Sequence, residues 1–328
     1  MHDDGTFDTG SQLPQKPSTP YSNMKVFVTG PPGYVGAEVA RLLLSQGHTV
    51  VGLARSDARA EGLRKAGIEP VIGELSQTNI LANAAASADA VVHTAFFHHG
   101  DYEQATQMDI AAIKAMTDAM AGTNKPFIMS SGSGLLGDTG LLSVSEEFPV
   151  DPRECLTPPG TRVLTEREGL LCAGKGVRVM VLRLPPYVWG NGGSFFIPLH
   201  IQAARDKGKA FYILPGTQKQ DGVHVEDLAR VYVLALEKGS TGIYHTSTGD
   251  GYTARGIAEA VGANVGVPVE GISLEEALKH GIWPVWAAPI FSMNNRVSSA
   301  KAERELGWKY FKTDMLEDIA SGSYAQKA

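Results

Sequence analysis

The strongest constraint on the fold is a glycine-rich turn that joins a buried strand to an amphipathic helix. An apolar run at Lys25–Thr29 ends in three glycines, Gly30, Gly33 and Gly36, and apolar residues then recur every three or four positions from 35 to 46. In such a turn the first glycine permits the sharp bend, the second lets backbone N–H groups approach a phosphate, and the third lets the helix pack closely. The turn is therefore predicted to bind an anionic group at the helix N-terminus. The residues predicted to surround that group are Thr29, Gly30, Gly33, Tyr34, Val35 and Gly36.

Short apolar strands alternate with helical patterns through the rest of the first half of the chain. Helices between strands of this kind require right-handed crossovers and a parallel sheet. The fold class predicted is α/β, a Rossmann-type doubly wound parallel sheet with a smaller, mostly helical C-terminal substrate lobe. The predicted strands are 25–29, 48–54, 69–73, 88–94, 126–130, 177–184 and 242–246, and the predicted helices are 35–46, 57–66, 79–86, 102–121, 162–173, 197–207 and 225–238.

Composition divides the chain of 328 residues into three predicted parts. Residues 1–23 are rich in Asp, Gly, Pro, Ser and Gln and offer almost nothing to bury, which predicts a disordered leader. Residues 24–186 and 222–248 are predicted to form the dinucleotide-binding domain, and residues 187–221 and 249–328 the substrate-binding lobe. This length suits one large core with a smaller companion.

A formal net charge of -6, without a long Lys or Arg run, argues against nucleic acid or an anionic membrane as a partner. No stretch is apolar for about 18 residues, so a membrane-spanning helix is not expected. The two cysteines, Cys155 and Cys172, are interpreted as reduced thiols of a cytosolic protein. No cluster of His, Cys, Asp and Glu has metal-ligand spacing. We therefore expect a cytoplasmic protein with a small-molecule substrate, no metal, no nucleic acid and no membrane partner.

The end of the second predicted strand indicates which dinucleotide is bound. An NAD-specific site places a carboxylate there to hold the ribose hydroxyl, but this chain has Arg55 followed by Ser56. A guanidinium beside a hydroxyl suits the 2′-phosphate of NADP(H), which is therefore predicted over NAD(H). Two alternatives stay open, because Arg55 would also suit a solvated surface and the nearby Asp57 is compatible with NAD(H). Further along the sheet edge, the residues predicted to border the cofactor are Glu74, Leu75, Thr94 and Ala95.

Several strings together resemble the extended short-chain dehydrogenase/reductase family, which includes NAD-dependent epimerases and dehydratases. They are the glycine turn, Arg55, Leu182–Gly190, Val223–Asp227, Val297–Lys301 and Glu305–Trp308. The resemblance covers nearly everything from Met24 onward. It implies two lobes, with the substrate held between the carboxyl edge of the sheet and the C-terminal lobe. It also implies that backbone around Pro185, Pro186 and Tyr187 lines the nicotinamide pocket, and that the protein forms a homodimer, which is the family habit.

The reductases of this family use a Ser or Thr together with a Tyr and, four residues later, a Lys. The matching segment of this chain, 156–166, contains no tyrosine. Aligning Glu166 with the acidic residue that often follows the family's lysine puts Arg162 in the lysine place and Pro158 in the tyrosine place. Arginine stays protonated and cannot relay a proton in the same way. The chain therefore resembles atypical members that keep the cofactor fold without the standard Tyr-x-x-x-Lys.

Other side chains are candidates for the missing chemistry. A gapless alignment on Gly137 puts Gly132 at the family's serine position, with Ser131 and Ser133 on either side. Ser131 is predicted to hold a substrate oxygen, unless its hydroxyl satisfies local backbone. The loop after the fourth strand and the segment after the sixth supply acid–base candidates, which would otherwise be surface polar residues or hinge packing. These candidates are His99, Tyr102 and Tyr187, in addition to Arg162.

Aromatic side chains in loops and in the C-terminal lobe suit an apolar substrate, although core packing would explain most of them. The leading hypothesis is an NADPH-dependent oxidoreductase, a ketoreductase that reduces a carbonyl or another polarised double bond of a mid-sized apolar or aromatic metabolite. The alternatives are a non-redox isomerase or cyclase on the same fold, and an NADP(H)-binding sensor or scaffold. The aromatic residues concerned are Phe96, Phe97, Trp189, Phe195, Phe196, Trp283 and Trp286.

Overall fold

The computed structural model describes residues 23–96, 101–150 and 161–325. The strands are β1 (Lys25–Thr29), β2 (Thr49–Ala54), β3 (Glu69–Ile72), β4 (Ala90–His93), β5 (Pro126–Gly132), β6 (Arg178–Leu184), β7 (Tyr187–Trp189), β8 (Ala210–Ile213), β9 (Lys219–Gln220), β10 (Gly222–His224), β11 (Gly242–His245), β12 (Tyr252–Thr253) and β13 (Val269–Ile272). The α-helices are α1 (Tyr34–Ser45), α2 (Asp57–Lys65), α3 (Thr78–Ser87), α4 (Tyr102–Ala119), α5 (Arg162–Cys172), α6 (Ile197–Lys207), α7 (Val225–Lys238), α8 (Ala254–Val265), α9 (Leu274–Lys279), α10 (Ala288–Phe291), α11 (Ala300–Leu306) and α12 (Met315–Ser321). Two short 3-10 helices lie at Ser133–Leu136 and Ala173–Lys175.

In the described part of the chain, seven parallel strands form the central sheet in the order β11-β6-β5-β4-β1-β2-β3. β1 lies between β2 and β4, with Val28 opposite Gly52 on one side and Thr29 opposite His93 on the other. The strand order reverses here, so the carboxyl ends of β1 and β4 open a crevice at the sheet edge. The predicted Rossmann-type α/β fold is confirmed.

Alternate residues of the central strands supply apolar layers on the two faces of the sheet. Ile128 of β5 packs with α1 and α7 on one face, whereas Phe127 and Met129 pack with α3 and α4 on the other. Strands buried on both faces are nearly all apolar, as expected of a parallel sheet. A third core in the C-terminal half gathers β7, α6, α8 and α12 around side chains such as Phe291.

The predicted elements of the first half agree with the structure to within a few residues. The first helix was placed at 35–46 and occupies Tyr34–Ser45, and the strand expected at 126–130 continues to Gly132. The C-terminal half of the chain also contains small two-stranded sheets, β7 with β10, β8 with β13 and β9 with β12. Their strands of two or three residues, β7, β9, β10 and β12, carry too little periodicity to be recognised in the sequence.

Several predicted features lie outside the described residues: the leader apart from Asn23, and Phe97, His99, Cys155 and Pro158. Cys172 is buried and has no disulfide partner among the described residues. Among the helices of the described ranges, none is long and apolar enough to cross a membrane.

Candidate active site

The glycine turn after β1 is packed so tightly that two of its glycines leave no room for a side chain. Gly30 has a φ of +76°, and a Cβ there would lie 3.0 Å from the nitrogen of Ala95. A Cβ on Gly36 would come within 2.2 Å of the Gly30 carbonyl oxygen. Gly33 donates its own N–H to that same oxygen at 2.9 Å, so this N–H closes the turn. The donors left to face a bound anion are those of the first turn of α1.

The N-terminus of α1 is open to an anion. No side chain in the described part of the chain caps it, and its first turn carries no acidic residue. The first N–H groups of a helix lack an intrahelical acceptor and bear a partial positive charge, which applies here to Tyr34 and Val35. This cradle of free donors fits a dinucleotide pyrophosphate. Tyr34 also reaches the C-terminal lobe, because its hydroxyl donates to the Gly190 carbonyl at 2.7 Å.

On the β2 side of the crevice, Arg55 and Ser56 lie in the exposed turn between β2 and α2. Ser56 is the N-cap of α2, and its hydroxyl accepts the N–H of Arg59 at 3.3 Å. The side chains of Arg55 and Arg59 are both exposed, so two guanidinium groups face solvent near one helix N-terminus. Beyond β3, Glu74 is exposed, while Leu75 packs against the apolar layer under α3.

The residues that follow β4 border the glycine turn directly. Thr94 donates its hydroxyl to the Thr29 carbonyl at 2.5 Å, and the Ala95 N–H donates to the Thr29 hydroxyl at 3.3 Å. Both residues also lie within 3.1 Å of the position that a Cβ on Gly30 would take. The structure therefore brings Thr29, Gly30, Thr94 and Ala95 together at the mouth of the crevice.

A chain of buried polar side chains runs from the glycine turn to the start of α5. The Thr29 hydroxyl lies 2.7 Å from His93 Nδ1, and His93 Nε2 lies 2.8 Å from Asp109 Oδ1. Arg162 donates to Asp109 Oδ2 at 2.6 Å and to the Ser130 carbonyl at 2.6 Å. The side chains of His93 and Asp109 are 2 % and 1 % exposed. Buried charges are stable only when they are paired, so the fold holds these four side chains as one unit.

The ionisation of Asp109 links this unit to acid stability. Burial alone would raise the pKa of Asp109, but Arg162 and His93 outweigh burial and hold the pKa below its ordinary value. The carboxylate therefore stabilises the folded state above about pH 4, and this contribution is lost as the pH falls through the depressed pKa. We expect the free energy of unfolding in urea to decrease on acidification below about pH 4, and to decrease less in Asp109→Asn. Equal pH slopes in the two proteins would contradict the pairing.

Two aromatic rings lie beside Arg162. The Phe96 ring centroid is 4.2 Å from the central carbon of the guanidinium, and the Tyr102 ring centroid is 5.3 Å from that of Phe96. Burial raises the pKa of the Tyr102 hydroxyl, while Arg162 acts to lower it and Asp109 to raise it. Tyr102 is therefore a half-buried phenol near a fixed guanidinium, and it keeps its proton at neutral pH. A phenol in this state can act as a general acid.

The two serines that flank Gly132 differ in their partners. Ser133 is fully buried and donates its hydroxyl to Asn295 Oδ1 at 2.5 Å. Ser131 is 7 % exposed, and its hydroxyl has no hydrogen-bond partner among the residues that the structure describes. A buried polar group without a partner is unfavourable, so the Ser131 hydroxyl is suited to bind an oxygen atom of a ligand.

The segment after β6 leads into the C-terminal core. Pro185 and Pro186 join β6 to β7, and the Tyr187 hydroxyl lies 3.1 Å from His200 Nε2 inside that core. Burial raises the pKa of Tyr187 and lowers the pKa of His200 to about 3, so both groups are neutral at physiological pH. The structure directs the Tyr187 hydroxyl into the core, whereas Tyr102 lies near Arg162.

The aromatic residues singled out in the sequence fall into two groups. Trp189, Phe196 and Trp283 are buried in the C-terminal core, and packing accounts for them. Phe195 and Trp286 are 50 % and 42 % exposed, with ring centroids 5.5 Å apart. These two rings offer an aromatic surface on the C-terminal lobe.

Comparison with known proteins connects this site to a family. The sequence pattern of the NAD dependent epimerase/dehydratase family matches residues 26–246. This range includes the glycine turn and the hydrogen-bonded side chains of Thr29, His93, Asp109 and Arg162. The chain belongs to this family. The resemblance to extended short-chain dehydrogenases/reductases is thereby confirmed.

Three similar proteins illustrate the range of this epimerase/dehydratase family. An uncharacterised protein of Schizosaccharomyces pombe is 38 % identical over 304 residues, covering 92 % of this chain and 100 % of that protein. The 4-hydroxy-2-methyl-3-oxo-4-farnesyl-3,4-dihydroquinoline-1-oxide ketoreductase of Stigmatella aurantiaca is 25 % identical over 314 residues, covering 87 % and 92 %. The crystal structure of DesIV, a dTDP-glucose 4,6-dehydratase from Streptomyces venezuelae with NAD and TYD bound, has a TM-score of 0.72 at 20 % identity and covers 92 % and 96 %.

Membership of the epimerase/dehydratase family agrees with the open cradle at α1. The family consists of enzymes that use a nicotinamide dinucleotide and act on small molecules. In the described ranges, no group of three or more His, Cys, Asp or Glu side chains could hold a metal ion.

Sequence reasoning missed His93 and Asp109. Each carried a signal, because His93 ends an otherwise apolar strand and Asp109 interrupts the apolar face of α4 formed by Ala105, Ala112 and Ile113. A lone carboxylate on a buried helix face requires a buried partner, although the pattern does not say which residue supplies it.

Proposed function

We propose that this protein is an NADPH-dependent reductase of a carbonyl, or of another polarised double bond, in a mid-sized apolar or aromatic metabolite. The observation that carries the proposal is the Ser131 hydroxyl at the end of β5, which has no hydrogen-bond partner among the described residues. The Ser130 carbonyl of the same strand is bound by Arg162. Tyr102 packs near Phe96, whose ring lies against the same guanidinium. A carbonyl oxygen needs a hydrogen-bond donor during hydride transfer and a proton afterwards.

Each of these side chains has a separate part in the proposed reaction. A bound nicotinamide dinucleotide would supply the hydride. Ser131 donates a hydrogen bond to the carbonyl oxygen, and Tyr102 passes its proton to that oxygen as the oxygen becomes an alkoxide. Arg162 stays protonated and stabilises the negative charge that develops there. Solvent then returns a proton to Tyr102.

The cofactor is proposed to lie across the carboxyl edge of the sheet, with its pyrophosphate at the N-terminus of α1. Its 2′-phosphate would bind to Arg55 and Ser56, with Arg59 one turn into α2 as a further cation. The remaining proposed contacts are Glu74, Leu75, Thr94, Ala95, Pro185 and Pro186.

The substrate is proposed to bind between this edge and the lobe formed by 187–221 and 249–328. The exposed rings of Phe195 and Trp286 support an apolar or aromatic substrate, because such rings bind flat apolar groups. Similarity to a protein named as a ketoreductase supports the reductase reading.

Replacement of Arg55 tests the choice of cofactor. Arg55→Ala is expected to weaken NADPH binding by about 10- to 100-fold, because a charge-assisted hydrogen bond contributes about 1.5–3 kcal/mol. The affinity for NADH, which lacks the 2′-phosphate, should change by less than about twofold. Titration calorimetry with both dinucleotides measures the two effects.

The matched control for Arg55→Ala lies on α2, the helix that follows Arg55. Arg64 is exposed on α2 and pairs with Glu61 at 3.3 Å, so Arg64→Ala should leave both affinities unchanged. Equal losses for NADPH and NADH in Arg55→Ala would rule out recognition of the 2′-phosphate by this residue.

A turnover screen tests the reaction itself. NADPH oxidation, followed by absorbance with aryl ketones and aldehydes, is expected in the wild-type protein and should be strongly reduced in Ser131→Ala. Conversion of a substrate without net cofactor consumption would instead indicate a non-redox isomerase or cyclase, the alternative favoured by the missing Tyr-x-x-x-Lys. Tight NADPH binding with no conversion of any substrate would indicate a sensor or scaffold.

A further inference from the structure

The buried hydrogen-bonded side chains of Thr29, His93, Asp109 and Arg162 contain more charge than the proposed chemistry requires. These side chains come from β1, β4, α4 and α5, so their hydrogen bonds link four elements beside the crevice. Side chains such as Asp109 are almost never fully buried unless they are paired. A buried network this close to a ligand crevice is a candidate for control of the ligand's electrostatics.

The hydrogen bonds of Asp109 fit a carboxylate paired with a guanidinium. Asp109 accepts one bond at each carboxylate oxygen, from His93 and from Arg162, as an ionised carboxylate does. His93 joins this carboxylate to the Thr29 hydroxyl, which accepts the Ala95 N–H. Arg162 is always protonated. Asp109 and Arg162 therefore hold one negative and one positive charge within a single hydrogen bond of each other.

The order of the strands places this ion pair at the nicotinamide half of the dinucleotide. The pyrophosphate cradle follows β1, the adenosine half extends toward β2 and Arg55, and the other half must extend over β4 and β5. Arg162 lies there, because it donates to Ser130 of β5 and faces Phe96, which follows β4. The nicotinamide ring carries a positive charge when oxidised and none when reduced, so a nearby field acts differently on the two forms.

We propose that Asp109, oriented by His93, is a positioning residue that fixes Arg162 and offsets its charge, and that this pair sets the preference between the oxidised and reduced dinucleotide. The inference rests on the proposed function for the direction in which the cofactor lies. With the pair intact, Asp109 offsets part of the field of Arg162 at the nicotinamide. Removal of either charge leaves the other to act on the nicotinamide alone, so the two removals should shift the preference in opposite directions.

The test compares the Kd values of NADP+ and NADPH, measured by calorimetry on the full chain without substrate. Asp109→Asn leaves Arg162 uncompensated and should raise the ratio of the NADP+ Kd to the NADPH Kd by about three- to tenfold. Arg162→Met leaves Asp109 uncompensated and should lower this ratio by about two- to threefold. Asp118→Asn makes the same change on an exposed part of α4 and should leave the ratio unchanged.

A double variant keeps the test decisive if a single variant unfolds. Asp109→Asn with Arg162→Met removes both charges, and replacement of a buried ion pair by neutral groups is often tolerated. Its ratio should return to within about twofold of the wild-type value. Should Asp109→Asn not fold, Arg162→Met and the double variant still differ only at Asp109, and the ratio should be about two- to threefold higher in the double variant.

Opposite shifts that cancel in the double variant would support the inference. Ratios that stay at the wild-type value in every variant, or that move in the same direction on loss of either charge, would overturn it. The result is separable from the proposed function, because no turnover is measured. A protein that shows the shifts but reduces no carbonyl refutes the reductase alone, and one that reduces carbonyls with unshifted ratios refutes this inference alone.

Discussion

Tyr102→Phe is expected to lose about two to three orders of magnitude in kcat/KM for carbonyl reduction while it binds NADPH as tightly as the wild-type protein. The substitution removes one hydroxyl and keeps the ring, which lies 5.3 Å from the ring of Phe96. General acid catalysis of this kind contributes about 10²- to 10⁴-fold, and the loss should appear in kcat rather than in the cofactor Kd. Steady-state kinetics with a ketone found in the turnover screen, together with calorimetry, measure both quantities.

Tyr310→Phe is the matched control for this variant. The Tyr310 ring packs on Trp308, with centroids 5.6 Å apart, in the C-terminal part of the chain. Its loss of a hydroxyl should leave kcat/KM within about twofold of the wild-type value. If Tyr102→Phe retained wild-type kcat/KM, the proton would have to come from another donor and the assignment of Tyr102 would be wrong.

The same assignment determines how the rate depends on pH. Burial raises the pKa of Tyr102 above its ordinary value, so the phenol remains protonated through neutral and mildly alkaline solution. We expect kcat/KM to be flat from about pH 6 to about pH 9 and to decline only when the phenol ionises, above about pH 10. A decline centred near about pH 6.5 would indicate a histidine as the proton donor.

The parts of this molecule that follow from local pattern could be predicted from the sequence. β1, the glycine turn and α1 are adjacent in the chain, and their requirement for small residues at Gly30 and Gly36 is a property of the turn itself. The same holds for the alternation of apolar strands and helices, because each element signals its own period.

The contacts around Arg162 and the end of β5 could not be predicted to the same extent, because they join residues that are distant in the sequence. His93 is 64 positions from Thr29, and Arg162 is 53 positions from Asp109. Nothing in the local pattern says that these side chains meet, or that Ser133 pairs with Asn295 while Ser131 has no partner in the described ranges. Such pairings arise only when the sheet order brings the strand ends together.

Glu166→Ala is expected to lower the free energy of unfolding by about 3–5 kcal/mol, because it leaves the buried Arg183 guanidinium without a counter-charge. Arg183 donates from Nε to both carboxylate oxygens of Glu166, at 3.0 and 3.1 Å, and from Nη2 to one of them at 2.7 Å. The two side chains are 3 % and 2 % exposed. In the described part of the chain, the third guanidinium nitrogen of Arg183, Nη1, has no hydrogen-bond partner. Loss of Glu166 would therefore leave the guanidinium without its acceptor. Urea denaturation, with the transition followed by circular dichroism, measures the change.

Glu168→Ala separates this effect from the loss of a carboxylate on α5 in general. Glu168 pairs with Lys114 at 3.3 Å, and the lysine side chain is 50 % exposed, so this variant should lose less than about 1 kcal/mol. Replacing both members of the buried pair, as in Glu166→Ala with Arg183→Met, should recover part of the loss, since no charge is then left unpaired. A loss in Glu166→Ala as small as that in Glu168→Ala would show that water reaches Arg183. Because Arg162 lies one turn before Glu166 on α5, that result would also mean that the Glu166–Arg183 pair contributes little to holding the helix that presents Arg162.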